Sequence, residues 1–135
     1  MTTQDHYNDA MADFTVGDYS KAIQKLKAVL ASEPEWFDAQ LALSMAYSRL
    51  GDWPNAIATG HKAELLRPDD PMVFTNLSMF YMKSGDKAKA EHYRAKAKIE
   101  SWKVTLAEGD KKNDAVKEKN ARDGLGIETK SSAKE

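Results

Sequence analysis

The chain has 135 residues, the length of one ordinary domain, and 41% of them are hydrophobic, which suffices for a soluble core. Its 20 basic residues face 21 acidic ones, so the composition argues against the basic excess that binding to nucleic acid or to an anionic membrane requires. The absence of cysteine excludes disulfides, a thiol nucleophile and cysteine-bound zinc.

The first residues, MTTQDHYNDAM, have neither the basic start nor the apolar stretch of a signal peptide. No apolar run elsewhere approaches the roughly 20 residues that cross a bilayer. We therefore expect a cytoplasmic protein, with no direct membrane insertion and no nucleic-acid partner.

Three glycine–aspartate pairs recur along the chain at a constant spacing. Gly17, Gly51 and Gly85 are 34 residues apart, and each is followed by aspartate and, four residues later, by alanine. Pro34 and Pro68 have the same spacing. Several residue types recurring in one phase are the sequence signature of a repeat architecture.

The first repeat, at about residues 3–36, has a polar leading helix. Asp9 and Asp13 stand where the later repeats have leucine and tyrosine. Because the first helix of a solenoid has no preceding repeat to pack against, a polar face is what a capping repeat needs.

The second repeat, at about residues 37–70, shows the helical hairpin most clearly. Apolar residues between positions 39 and 50 spread over more than one helical face, which suits a helix in contact on several sides. Gly51 supplies a left-handed stop, Asp52 caps the next helix, and Pro54 lies near its first turn. Gly60 either makes room for Tyr81 or Phe80 or is neutral drift, and both interpretations stay open.

The third repeat, at about residues 71–102, begins at Asp69 or Asp70 with Pro71. Apolar spacing continues past its end, which predicts a helical extension to about residue 108 that is stopped by Gly109. Residues 110–135 are polar, so we expect a disordered tail in which 111–122 form at most a weak helix. The domain is thus predicted to span residues 1–109.

The repeat resembles the tetratricopeptide repeat family, in which an aromatic residue, leucine, a small residue, tyrosine, glycine and alanine follow in fixed order. The third repeat provides this order with Phe74, Leu77, Ser78, Tyr81, Gly85 and Ala90. The resemblance implies an all-α, right-handed solenoid of three helical hairpins, followed by the C-terminal helical extension and the flexible tail. It also implies a non-catalytic protein–protein interaction module, an adaptor, scaffold or chaperone-like protein.

Five internal methionines all lie in the first helices of the repeats, and Met11, Met45 and Met79 are in phase. By the resemblance, first helices line a concave groove, so this pattern predicts a surface for an apolar or amphipathic peptide. The alternative is that methionine fills gaps between helices. Arg49 and Lys83 lie at the predicted rim, or are solvated charges at helix ends. The predicted groove residues are Tyr7, Met11, Phe14, Leu41, Met45, Arg49, Met72, Asn76, Met79, Met82 and Lys83.

A carboxylate clamp of the kind found in chaperone-binding members is not expected. The corresponding positions here are Tyr7, Met11, Ala42, Met72 and Asn76, and none carries the clamp residue. The three histidines fall on different helices without the spacing of a metal site, and no phosphate-binding loop or nucleophile elbow is present. We therefore predict no catalytic residues, no metal and no cofactor.

Self-assembly is the alternative function. A three-repeat solenoid whose last repeat is imperfectly covered can stack end to end or dimerise through Ile99, Trp102 and Leu106. The predicted partner is then a second copy of the chain.

Overall fold

The computed structural model describes residues 1–123, with side chains described as far as residue 109. It divides into two compact units, Met1–Glu100 and Ser101–Glu135. The first unit contains three helical hairpins, as the spacing predicts, and the second contains the remainder of the last helix. The helices are α1 (Thr3–Thr15), α2 (Tyr19–Ser32), α3 (Phe37–Arg49), α4 (Trp53–Leu66), α5 (Pro71–Ser84) and α6 (Lys87–Asp123).

The glycine of each glycine–aspartate pair ends the first helix of its hairpin. Gly17, Gly51 and Gly85 have φ values of 88°, 74° and 98°, the left-handed region that side chains disfavour. The backbone N–H of the following aspartate donates to the carbonyl five residues back, for example from Asp52 to Tyr47 at 3.0 Å. This hydrogen bond satisfies a carbonyl group at the helix end that has no partner within the helix.

The aspartate of each pair begins the second helix. Asp52 accepts a hydrogen bond from the backbone N–H of Asn55 at 3.3 Å, and Asp18 and Asp86 cap their helices in the same way. Two adjacent residues therefore stop one helix and start the next, which leaves room for only a short turn and forces the two helices together.

The core lies at the junctions between neighbouring repeats. Between repeats 1 and 2, α1 and α2 bury small and branched side chains against α3; these are Ala10, Leu26, Val29, Ala39, Ala42 and Leu43. Between repeats 2 and 3, aromatic residues take over, in a cluster that includes Phe37, Ala56, Ala63, Val73, Leu77 and Phe80. Each repeat thus depends on its neighbour for burial.

Gly60 lies at a close contact between α4 and α5 in the second junction. A Cβ atom at this position would lie 2.8 Å from Cδ2 of Leu77 and 3.6 Å from the ring of Phe80. The glycine therefore makes room for a neighbour, and the nearest one is Leu77, with Phe80 behind it, instead of Tyr81. Glycine at this position destabilises helix α4 by about 1 kcal/mol relative to alanine, but only a residue without a Cβ atom leaves room for the contact.

The prediction that Gly109 stops the last helix is wrong. Helix α6 continues through Gly109 to Asp123, so the extension runs beyond residue 108, and 110–123 are helical. Gly109 does not adopt a positive φ, although aspartate follows it as at the other three glycines. The difference is that few apolar residues follow this pair, so no packing favours a reversal of the chain. Residues 124–135, the rest of the predicted tail, lie outside the described residues.

Within the described part of the chain, no helix is long and apolar enough to cross a membrane.

Gly51→Val tests the left-handed turn. Nothing lies within 4 Å of a Cβ at this position, so the substitution meets no steric obstacle and reports on backbone conformation alone. We expect a loss of about 1–3 kcal/mol in the free energy of unfolding, measured in urea. Gly51→Asn is the control, because asparagine tolerates the left-handed region, and it should cost clearly less. Equal stability of Gly51→Val and the wild type would contradict the assignment.

Candidate binding face

The face that α1, α3 and α5 present in the first unit carries the predicted groove residues, and we call it the inner face. Its apolar side chains are less exposed on α1 and α3 than on α5. Tyr7, Met11, Phe14, Leu41 and Met45 are half-buried, whereas Met72, Met79 and Met82 are 58%, 44% and 43% exposed.

The part of the inner face formed by α1 and α3 is occupied by its own contacts. The guanidinium of Arg49 lies over the ring of Phe14, 5.6 Å from its centroid, and Phe14 in turn meets Tyr19 edge-on. Met11 packs against the first junction. Arg49 is exposed, and its guanidinium makes a cation–π contact between α3 and α1.

Tyr7 also has a structural partner. Its ring stacks on Trp36 at a centroid distance of 4.8 Å, and Trp36 is the residue that precedes α3. Burial raises the pKa of Tyr7, and the negative charge of Asp38 adds to the rise. The sequence analysis did not identify Trp36; its place immediately before an apolar helix was the available signal.

The part of the inner face on α5 is open. An apolar-walled pocket of about 320 Å³ lies between α5 and the first turns of α6. It brings together three predicted residues, Met79, Met82 and Lys83, with Thr75, Ser78, Arg94 and Ala97, which the sequence analysis did not assign to the site. Arg94 and Ala97 could have been assigned to the site from the repeat spacing, because they lie 34 residues after Gly60 and Ala63.

Two predicted groove residues lie apart from this pocket. Met72 is exposed in the first turn of α5, and Asn76 is half-buried. The side-chain amide nitrogen of Asn76 has no hydrogen-bond partner among the described residues. Neither residue lines the pocket, whose α5 wall begins with Thr75.

A wider groove of about 920 Å³ runs along the loops that join the repeats, where Gln4, Pro34 and Leu66 contribute to its walls. Its aromatic floor is covered, because the guanidinium of Arg67 lies 3.9 Å above the ring of Phe37. The walls of this groove are polar and apolar in similar parts, whereas those of the pocket on α5 are almost wholly apolar.

A hydrogen-bonded chain of side chains joins α4 to α5. His61 Nε2 lies 2.6 Å from the Tyr81 hydroxyl, and His61 Nδ1 lies 2.9 Å from a Glu64 carboxylate oxygen. Since an ionised carboxylate only accepts, we assign the proton of the neutral ring to Nδ1, and Nε2 then accepts from Tyr81. These hydrogen bonds connect α4 to α5 at the second junction, beside its apolar core.

Tyr93 of α6 completes this cluster. Its ring stacks on Tyr81 at a centroid distance of 5.8 Å, and burial raises the pKa of Tyr93 to about 12, with a further contribution from the negative charge of Glu64. The ammonium of Lys96 lies 4.6 Å from the centroid of Phe74 and 3.6 Å from Glu64. These groups are held by one another, which is the pattern of a structural cluster.

The contribution of this chain to stability is measurable by a double-mutant cycle of His61→Ala and Tyr81→Phe. We expect a coupling free energy of about 1 kcal/mol in urea unfolding, because the two residues share one hydrogen bond across the junction. His6, an exposed residue of α1, provides the control: His6→Ala should be additive with Tyr81→Phe. Additivity of the His61 pair would show that the contact contributes nothing.

The fold and the in-phase turns define an α-helical repeat protein. The resemblance to the tetratricopeptide repeat family is confirmed by a model of that family, which matches residues 13–75, from the end of α1 to the start of α5. A comparison with curated protein sequences gave no match.

Several solved structures share the fold. The crystal structure of MamA is 22% identical with a TM-score of 0.75, and the similarity covers 78% of this chain and 61% of that one. The Yersinia enterocolitica type III secretion chaperone SycD, in complex with a peptide of the translocator YopD, is 17% identical with a TM-score of 0.70, over 87% and 93% of the two chains. PcrH with the chaperone-binding region of PopB is 16% identical with a TM-score of 0.70, over 73% and 79%. At these identities the similarity concerns the fold.

Proposed function

We propose that the chain is a non-catalytic protein-binding module that holds an apolar or amphipathic peptide segment on its inner face. The observation that carries the proposal is the exposure of Met79 and Met82 beside an open, apolar-walled pocket. Other apolar side chains of the first unit, such as Leu77 and Phe80, are fully buried at the junctions. Exposed apolar side chains grouped on one surface are typical of interaction sites.

The chemistry of the pocket suits an adaptable apolar ligand. Methionine is unbranched and polarizable, so Met79 and Met82 can adjust to side chains of different shape. Lys83 places a cation at the margin, where it can pair with an acidic side chain of the peptide at the cost of little desolvation. In the rest of the inner face, Arg49 and Phe14 already contact each other, so we assign the strongest binding to the part on α5.

Two of the structurally similar proteins hold peptides, as their descriptions state: SycD with a peptide of YopD, and PcrH with the chaperone-binding region of PopB. This supports a peptide-binding role for the same fold here. The chain spans about 61% of the length of MamA, so the activities of such longer proteins are not transferred to it.

Self-assembly through the C-terminal repeat is the second candidate function. In the first unit Ile99 is 51% exposed, and in the second unit Trp102 and Leu106 are 67% and 56% exposed. Large apolar side chains in contact with water favour association with some apolar surface. Light scattering over a range of concentrations separates this candidate from a monomeric peptide-binding module.

The double substitution Met45→Lys with Met79→Lys tests the inner face. A peptide would first be selected on the wild-type protein from a random library and labelled for fluorescence polarisation. We expect the variant to stay folded, since lysine can leave its stem on the apolar wall and its head in water, and to bind the peptide at least about tenfold more weakly. Leu65→Lys is the control, because Leu65 is 81% exposed on α4 and outside the inner face.

A folded double variant that binds as tightly as the wild type would contradict the proposal. A double variant that unfolds would favour the alternative interpretation, in which the methionines are packing residues. Circular dichroism melting on the samples used for binding distinguishes these outcomes.

A further inference from the structure

Among the residues whose side chains the structure describes, the last repeat leaves open a face that is covered in the first two repeats. We call it the tail face and define it by Ser78, Met79 and Met82 of α5 with Arg94 and Ala97 of α6. At the first junction the corresponding positions, Ala10, Leu26 and Val29, are buried against α3. At the second junction Gly60 and Ala63 are buried against α5. Helix α6 is the last helix that the structure describes, and Met79 and Met82 remain 44% and 43% exposed.

The first helix presents the opposite end of the repeat array. We call it the head face and define it by Asp5, Asp9, Ala12 and Asp13 of α1. These residues stand 68 positions before Val73, Leu77, Phe80 and Tyr81, the side chains with which α5 packs against repeat 2.

The head face retains negative charge. Lys25 binds both Asp9 and Asp13, at 2.8 and 2.6 Å, so one ammonium serves two carboxylates. The Asp9 side chain is still 49% exposed. The head face is therefore ready to pair with a further cation.

The contacts of the second junction predict which residues would meet if a second copy continued the array. Leu77 meets Gly60, at 2.8 Å from the position of its absent Cβ. One repeat further, Leu77 corresponds to Asp9 of the second copy and Gly60 corresponds to Arg94. Asp9 of the second copy would therefore meet Arg94, which stands where the earlier repeats have Leu26 and Gly60.

A second pair follows from the same register. Tyr81 contacts His61, which binds Glu64. One repeat further, Tyr81 corresponds to Asp13 of the second copy, and Glu64 corresponds to Lys98. Lys98 thus stands where repeat 2 has Glu64, so the charge is positive instead of negative. It faces the position at which the second copy has Asp13 in place of a tyrosine.

We propose that the tail face binds the head face of a second copy, so that the 34-residue spacing continues across the junction between two chains. Arg94 pairs with Asp9 of the second copy, and the exposed side chains of Met79 and Met82 supply the apolar part of the contact together with its Ala12. Because head and tail are different surfaces, the interface is heterologous and leaves one of each free, which leads to open, linear oligomers. The tail face shares Met79 and Met82 with the proposed peptide site, so a second copy and a peptide would compete for it, and the inference assigns to self-association a surface other than Trp102.

The physical character of this junction sets the expected behaviour. Arg94 is 60% exposed and pairs only with Glu91 of its own helix, at 3.7 Å, among the ion pairs described. Pairs between exposed charges are weak and are screened by salt, so association should be weak and should fall as ionic strength rises. A helix of another protein with an acidic stripe is the competing occupant, and the experiment separates the two.

Sedimentation velocity of the full chain tests the proposal. We expect the weight-average mass to rise from monomer to dimer and trimer between about 10 µM and 1 mM in low salt, and to fall back when salt is raised above a few hundred millimolar. Arg94→Glu and Asp9→Asn should each weaken association at least about tenfold. Lys27→Glu, a charge reversal at an exposed position of α2 outside both faces, should leave it unchanged.

Mixing the two variants gives the sharpest outcome. Asp9→Asn keeps an intact tail face and Arg94→Glu keeps an intact head face, so an equimolar mixture should form dimers and no longer species. Circular dichroism of each variant verifies that the repeats remain folded.

Three results would overturn the proposal. The first is a wild type that stays monomeric at about 1 mM in low salt. This holds also if its tail face then binds an added acidic amphipathic helix, because the occupant would be another protein. The second is association that Arg94→Glu and Asp9→Asn leave unchanged while Trp102→Ala abolishes it; self-assembly as a function would then stand, through a different surface. The third is a mixture of the two variants that stays monomeric.

Discussion

The structure depends on one constraint: a hairpin of two short helices cannot bury its apolar surface by itself. Each repeat therefore completes its core with the first helix of the next one, and the 34-residue spacing keeps these surfaces in register. The glycine–aspartate turns enforce that spacing, since the left-handed glycine ends one helix and the aspartate begins the next without intervening residues. The two junctions, and not a common centre, hold the first unit together.

The parts of this account that sequence predicts are those that local chemistry determines. The phase of Gly17, Gly51 and Gly85 is sufficient for the helix boundaries of three hairpins, because turn geometry and capping act over a few residues. The end of α6 was not predictable from the same signal, since Gly109 is also followed by aspartate and yet stays helical. A glycine permits a reversal, but the packing of the following segment decides whether it occurs.

The sequence predicted which repeat positions the methionines of the candidate site occupy, but only partly how exposed their side chains are. The sequence places Met11, Met45 and Met79 at equivalent positions, but their exposure differs because a further repeat follows repeats 1 and 2, whereas none follows repeat 3 within the described residues. Contacts between residues of different repeats, such as Arg49 over Phe14, depend on how the repeats pack and leave no pattern in the sequence. The functional interest therefore concentrates where the repeat pattern ends without a following repeat.

Native-state hydrogen exchange followed residue by residue tests the central claim most directly. If stability resides at the junctions, repeat 2, which is packed on both sides, should exchange most slowly, and protection should decrease through α5 toward α6 and through α2 toward α1. The slowest amides are expected in α3 and α4. Equal protection of all helices from α1 to α5, or the highest protection in α1, would contradict an array whose stability comes from nearest-neighbour junctions.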